Sequence, residues 1–137
     1  MNDAPLFELH PQLAADTFLL EDWGLCRVLL MNDCRFPWLI LVPQRPGLRE
    51  IHDLGPGDRA LLTEEISRAS KALSTAFTPD KINVGALGNI VEQLHIHVIA
   101  RWASDPAWPA PVWGNGKAEA YAPGAESMVI DRLNAAW

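Results

Sequence analysis

The chain predicts an α+β domain: a five-stranded antiparallel sheet crossed by one long helix, with a shorter helix at the C-terminus. Three observations carry this. Leu62, Ile66, Ala69, Leu73 and Ala76 recur at spacings of four, three, four and three, the period that lays one apolar stripe along a helix. On either side of that stripe, short apolar and β-branched runs alternate with clusters of Gly, Pro, Asn and Asp, which reads as strands separated by turns. With 137 residues and 49% hydrophobic content, the chain suffices for one real core and needs no second domain.

The elements follow in order. Leu6 to Ala15 permits a short helix, broken at Asp16-Thr17. Phe18-Leu19-Leu20 is a first strand, Glu21-Asp22-Trp23-Gly24 its turn, and Leu25 to Met31 its hairpin partner. Trp38 to Pro43 is almost continuously apolar, the pattern of a central strand covered on both faces. The striped helix runs from about Pro56 to Phe77, started by Gly55-Pro56-Gly57-Asp58 and stopped by Thr78-Pro79-Asp80. Lys81 to Ala86 and Gln93 to Arg101 supply the last two strands. Residues 1–101 thus form the core of a single domain spanning 1–137. In 102–114 three prolines and three tryptophans exclude regular structure, and the indoles need a surface to pack on: this domain, a second subunit or a base. A final helix is expected from about Gly124 to Trp137, with Met128, Leu133 and Trp137 on its apolar side. No internal repeat or low-complexity tract is present.

Composition narrows the function. A net charge of −6 argues against polymeric nucleic acid, whose phosphates are bound by clustered Lys and Arg, and leaves a small nucleotide open. The longest apolar runs, such as Trp38 to Val42, are far too short to span a bilayer, and Met1-Asn2-Asp3-Ala4 lacks the basic region of a signal peptide. The expectation is a cytoplasmic protein without a membrane partner. Cys26 and Cys34 lack metal-type CxxC spacing and read as ordinary thiols.

The chemistry concentrates in Gln93-Leu94-His95-Ile96-His97-Val98-Ile99-Ala100-Arg101. On a strand, Gln93, His95 and His97 emerge on one face and Leu94, Ile96 and Val98 on the other, leaving one polar face and one that can be buried. On a helix, positions two apart diverge by about 200°. The two imidazoles then start roughly 7 Å apart at their backbones, close enough to address one small anionic group. A polar strand face is most often only solvated, and His-x-His also occurs as half of a zinc site. Upstream, however, Asn83-Val84-Gly85-Ala86-Leu87-Gly88-Asn89 leads from a short strand carrying an amide through a Gly-containing turn to the histidines.

Here the sequence resembles the histidine triad (HIT) family of nucleotide hydrolases and transferases. The family motif, His-φ-His-φ-His-φ-φ with φ apolar, stands here as Gln-Leu-His-Ile-His-Val-Ile. The last two histidines match and Gln93 replaces the first. The run Leu-Gly-Asn-Ile-Val-Glu-Gln-Leu-His-Ile-His is similar to a bacterial, diadenosine tetraphosphate hydrolase-like branch in which that Gln is usual.

The resemblance implies an α+β domain with a five-stranded sheet, and a homodimer joining two sheets into one of ten strands. It implies that His95 is the nucleophile, attacking an α-phosphorus, with the backbone carbonyl of residue 93 holding one ring nitrogen and Gln93 as an orienter. His97 and His52 would donate hydrogen bonds to phosphate oxygens, as preplaced donors for the charge that gathers there. Asn83 and Asn89 would lie beside the phosphate, and Asn32, or in its place Asp33, would hold the ribose hydroxyls. No cofactor or protein-bound metal is implied, and magnesium would enter only as a counter-ion of the substrate. Ile90 stands where several relatives carry Ser or Thr near the leaving group. Dinucleoside polyphosphates, nucleoside phosphoramidates and adenylylated small molecules remain substrate candidates. The competing readings are a non-catalytic nucleotide-binding or regulatory protein, and zinc held by His95 and His97 with Cys26 or Cys34.

Overall fold

In the computed structural model, which describes residues 6–137, the five apolar runs pair into one antiparallel sheet in which, numbered along the chain, the strands lie in the order first, second, third, fifth, fourth. The strands are β1 (Thr17–Asp22), β2 (Cys26–Met31), β3 (Trp38–Pro43), β4 (Lys81–Gly85) and β5 (Ile96–Arg101). The helices are α1 (Pro11–Asp16), α2 (Pro56–Phe77) and α3 (Glu126–Asn134). β3 lies mid-sheet with all six residues buried, as its uninterrupted apolar sequence requires.

Register sorts the side chains into two layers. Leu29 pairs with Ile40, Ile40 with His97, and His97 with Gly85, so this row and its neighbours two residues away share one face. The opposite face carries Val28, Leu30, Leu39, Leu41, Ile96, Val98 and Ala100, which pack against Leu62, Ala69, Leu73 of α2 and Leu133 of α3. The first face carries Leu29, Trp38, Ile40, Val42 and Ile99, and no long helix covers it. Leu13, Phe36, Val91, Ala107 and Val112 do so instead, with Trp113 at the margin. The irregular C-terminal segment is therefore a layer of the domain, laid on its own sheet.

Several boundaries differ from the sequence reading. The first helix spans only Pro11–Asp16, because Pro11 enters at the helix start and His10 Nδ1 accepts from Gln12 N at 3.0 Å as its cap. β5 starts at Ile96 and not at Gln93, since Leu94 N donates to Leu48 O at 3.0 Å and leaves the ladder. The histidine face is not solvated: all of β5 is buried. In α3, Met128 is 70% exposed, and Val129, Ile130 and Leu133 face the core. Trp137 meets Trp23 edge-on at 5.3 Å between centroids.

α2 also buries a carboxylate. Glu65 accepts from Leu25 N at 2.9 Å and Cys26 N at 2.8 Å, satisfying two backbone donors where the β1–β2 turn enters β2 and tying the helix to the sheet. Burial, with Glu65 adjacent, pushes the Cys26 thiol up and keeps it protonated.

Candidate active site

His95 precedes β5 and His97 is its second residue, and both are only 7% exposed. Their ring centroids lie 4.9 Å apart with planes at 67°. The Nδ1 of His95 stands 2.7 Å from the carbonyl oxygen of Gln93. A carbonyl only accepts, so Nδ1 carries a proton, and in the neutral ring Nε2 keeps its lone pair. His97 is held differently: the indole Nε1–H of Trp38 donates to its Nδ1 at 2.9 Å. Burial, and secondarily the neighbouring His95, lower the His97 pKa to about 3, so the ring is neutral at ordinary pH.

Trp113 closes the site, its ring 5.2 Å from that of His97. It comes that close because residue 85, the register partner of His97, is glycine: a Cβ there would lie 2.8 Å from Trp113 Cη2. The indole N–H of Trp113 is buried without a hydrogen-bond partner among the described residues. Beside His95 opens a cleft of about 260 Å³, formed by the β4–β5 connection and lined by Leu87, Gly88, Asn89, Ile90, Val91 and His95. Gly88 turns that connection with φ of 80°, which suits glycine.

The structure thus brings together His95, His97, Asn89 and the Gln93 carbonyl. The Gln93 side chain points elsewhere. It accepts from His10 N and donates to Glu8 O, both at 2.8 Å, fastening the N-terminal segment to the site. His52 sits in a single 3-10 turn, Ile51–Asp53, with its side chain 84% exposed and Nε2 at 3.8 Å from Asp53 Oδ1. It lies outside the cleft, on the connection from β3 to α2. Asn83 shares the His97 face, but its Oδ1 accepts from Arg101 Nη1 at 2.8 Å. Asn32 and Asp33 follow β2 at the far end of the strands from His95. Asn32 Oδ1 accepts from Tyr121 N at 2.9 Å, and buried Asp33 pairs with Arg35 at 2.8 Å.

Two groups of site residues escaped the sequence reading. Trp38 reads as a core hydrophobe, and Trp113 as one of three indoles that pack on this domain, a second subunit or a base; their places beside His97 depend on register and on a distant loop. Arg101 did leave a signal: it ends an apolar strand at the same parity as His95 and His97. It is 1% exposed, pairs with Asp105 at 2.7 Å, donates to Ala110 O at 2.8 Å, and stacks on Phe36 and Trp108. Although burial by itself raises the Asp105 pKa, the Arg101 hydrogen bonds and those from Trp102, Trp108 and Ala107 N–H bring it down to about 2. This ion pair anchors the layer that carries Trp113.

No group of three or more His, Cys, Asp or Glu side chains able to hold a metal ion occurs among the described residues. Cys26 belongs to the helix-side layer, across the sheet from the histidines, so the proposed zinc set with Cys26 is not assembled. No helix is long and apolar enough to cross a membrane.

Residues 12–103 match the HIT domain family. The fold is similar to that of a histidine triad (HIT) protein from Sinorhizobium meliloti 1021, at 47% identity and a TM-score of 0.93 over 96% of this chain and 97% of the other. A histidine triad protein from Bradyrhizobium japonicum is similar at 44% identity and a TM-score of 0.93, over 97% and 100% of the two chains. One from Marinobacter aquaeolei VT8 is similar at 46% identity, with a TM-score of 0.93 and 96% of each chain covered. Among curated proteins, none matches the chain. A five-stranded sheet with paired histidines at one strand, matched along nearly its whole length by three such proteins, makes this chain a member of the histidine triad (HIT) family.

Proposed function

We propose that the protein hydrolyses a small nucleotide at its α-phosphorus, a dinucleoside polyphosphate or a nucleoside phosphoramidate, through a nucleotidyl-histidine intermediate on His95. The observation that carries this is the 2.7 Å contact between His95 Nδ1 and the Gln93 carbonyl. It leaves Nε2 as an available nucleophile and gives the positive charge that develops on the ring an acceptor at Nδ1–H.

In the first step Nε2 forms a bond to phosphorus, and the bond from phosphorus to the leaving oxygen or nitrogen breaks with its electron pair. The leaving group takes a proton from solvent or a neighbouring donor. In the second step water attacks phosphorus, the P–N bond returns its electrons to His95, and the nucleoside monophosphate departs with the water oxygen. His97 donates to a phosphoryl oxygen during both steps, stabilising the charge that gathers there. Asn89, on the cleft wall, supplies an amide beside the same group. No step uses a metal bound to the protein, and magnesium accompanies the substrate as counter-ion. We further propose that two chains associate as a homodimer.

The test is release of nucleoside monophosphate from a panel of dinucleoside polyphosphates and phosphoramidates, with His95→Ala as control. The variant should lose at least about 1,000-fold in kcat while still binding nucleotide, because it removes the nucleophile and few binding contacts. Rapid quench should trap an acid-labile, base-tolerant phosphoramidate on His95. Nucleotide binding without turnover by the unaltered protein would mark it as a binding or regulatory member of the family.

A further inference from the structure

We infer that Trp38 is a positioning residue that fixes His97 as a neutral donor, protonated on Nε2, beside the nucleophile. An indole offers a single hydrogen-bonding group. Its N–H donates and has no lone pair in the ring plane to accept with, so the 2.9 Å contact from Trp38 Nε1 to His97 Nδ1 has one possible polarity. Nδ1 must hold a lone pair, and the single proton of the neutral ring must sit on Nε2. A proton on Nδ1 would set two donors against each other in a buried place, which costs far more than the bond gains.

The surroundings leave this assignment unopposed. Around His97 stand Trp38 and Ile40 from β3, Gly85 from β4, Trp113 from the C-terminal layer, and His95. Of these only His95 has an ionisable side chain. Arg101, four residues along β5, is the charged group on the same face, and its guanidinium is taken up by Asp105, Asn83 and Ala110. His95 and His97 are chemically the same residue two positions apart, yet they are held as opposite tautomers by different kinds of partner. A backbone acceptor makes His95 an Nε2 lone pair, and a side-chain donor makes His97 an Nε2–H. The catalytic meaning, one imidazole attacking while the other donates, rests on the function proposed above; the tautomers do not.

Histidine-labelled protein examined by long-range 1H–15N correlation at pH 7 tests this directly. The unaltered protein should show His97 as the Nε2–H tautomer alone and His95 as the Nδ1–H tautomer. In Trp38→Phe, which keeps a ring but loses the donor, His97 should become a tautomer mixture while His95 stays unchanged. In activity, kcat should fall about tenfold with KM nearly constant, less than the ~100-fold typical of deleting a donor outright, because the donor tautomer stays populated. An unchanged His97 tautomer in Trp38→Phe would overturn the inference. If that variant does not fold, the unaltered protein decides: His97 found Nδ1-protonated or charged at pH 7 overturns it, and the pure Nε2–H form supports it. A protein with the expected tautomers but no turnover would defeat the proposed hydrolysis and leave the role of Trp38 intact.

Discussion

His97 couples the site to stability. Its folded pKa of about 3 lies below the ordinary histidine value of 6.5 because burial disfavours the charged ring. Between those values the unfolded chain binds a proton that the folded chain refuses, so stability falls as pH drops through this window, by up to about 1.4 kcal/mol per pH unit. Above pH 6.5 the group contributes no slope. Asp105, held near 2 by Arg101 and backbone donors, has the complementary window: its contribution is present above about pH 4 and is lost as pH falls toward 2. Urea melts at pH 4, 5 and 6 should therefore show a decline that His97→Asn largely removes; an equal decline in the variant would assign the loss to other groups. Gln93 makes a separate prediction. Its carbonyl orients His95 and its side chain holds residues 8 and 10, so Gln93→Ala should cost about 1–3 kcal/mol of stability for two lost hydrogen bonds and only a modest factor in kcat. A large fall in kcat at unchanged stability would show that the amide itself acts on His95.

At the scale of elements, the site depends on a close approach between β4 and the C-terminal layer. Gly85→Ala would place a methyl 2.8 Å from the rigid Trp113 ring, a crowding that costs about 1–3 kcal/mol. Making the same change in a Trp113→Leu background should cost much less, and a thermal-melt double-mutant cycle reads the coupling. Equal costs in both backgrounds would mean that the indole is not what Gly85 accommodates. The helix side rests on ordinary packing, where Leu73 is fully buried and Leu73→Ala should cost about 2–5 kcal/mol with KM unchanged. These two layers were not equally legible. The stripe of α2 and the apolar run of β3 state their burial by period alone, and both are found with the expected bounds. The sequence pattern extends β5 three residues too far, because Gln93, Leu94 and His95 alternate like a strand while Leu94 N is taken by Leu48 O, in a segment no local pattern identifies.

For the whole molecule, the six tryptophans supply little exposed aromatic surface: of them only Trp108, at 38%, is exposed. Trp113 and Trp137 pack on this chain's own core, so truncation before Trp102 should unfold the domain and not merely relax its selectivity. Association is better argued from β4, a sheet edge with Val84 49% exposed, followed by Leu87 and the 92% exposed Ile90; such an edge is open to pairing with another copy. Sedimentation should report about twice the 15.1 kDa chain mass, and Val84→Lys should shift the mass toward the monomer; a monomer at every concentration would defeat the proposed pairing. The sequence by itself determined the α+β class, the strand count, the long helix and the histidine strand, because each is written in a local period or a contiguous motif. It also implied that His95, His97 and Asn89 lie close together, because they are near neighbours along the chain. Only the tertiary structure decided that His52 stands outside the cleft, that Asn83 is bound to Arg101, and that Trp38 and Trp113 flank His97. Those outcomes depend on strand register and on a loop crossing the sheet, and contacts between distant segments leave no period in the sequence from which to read them.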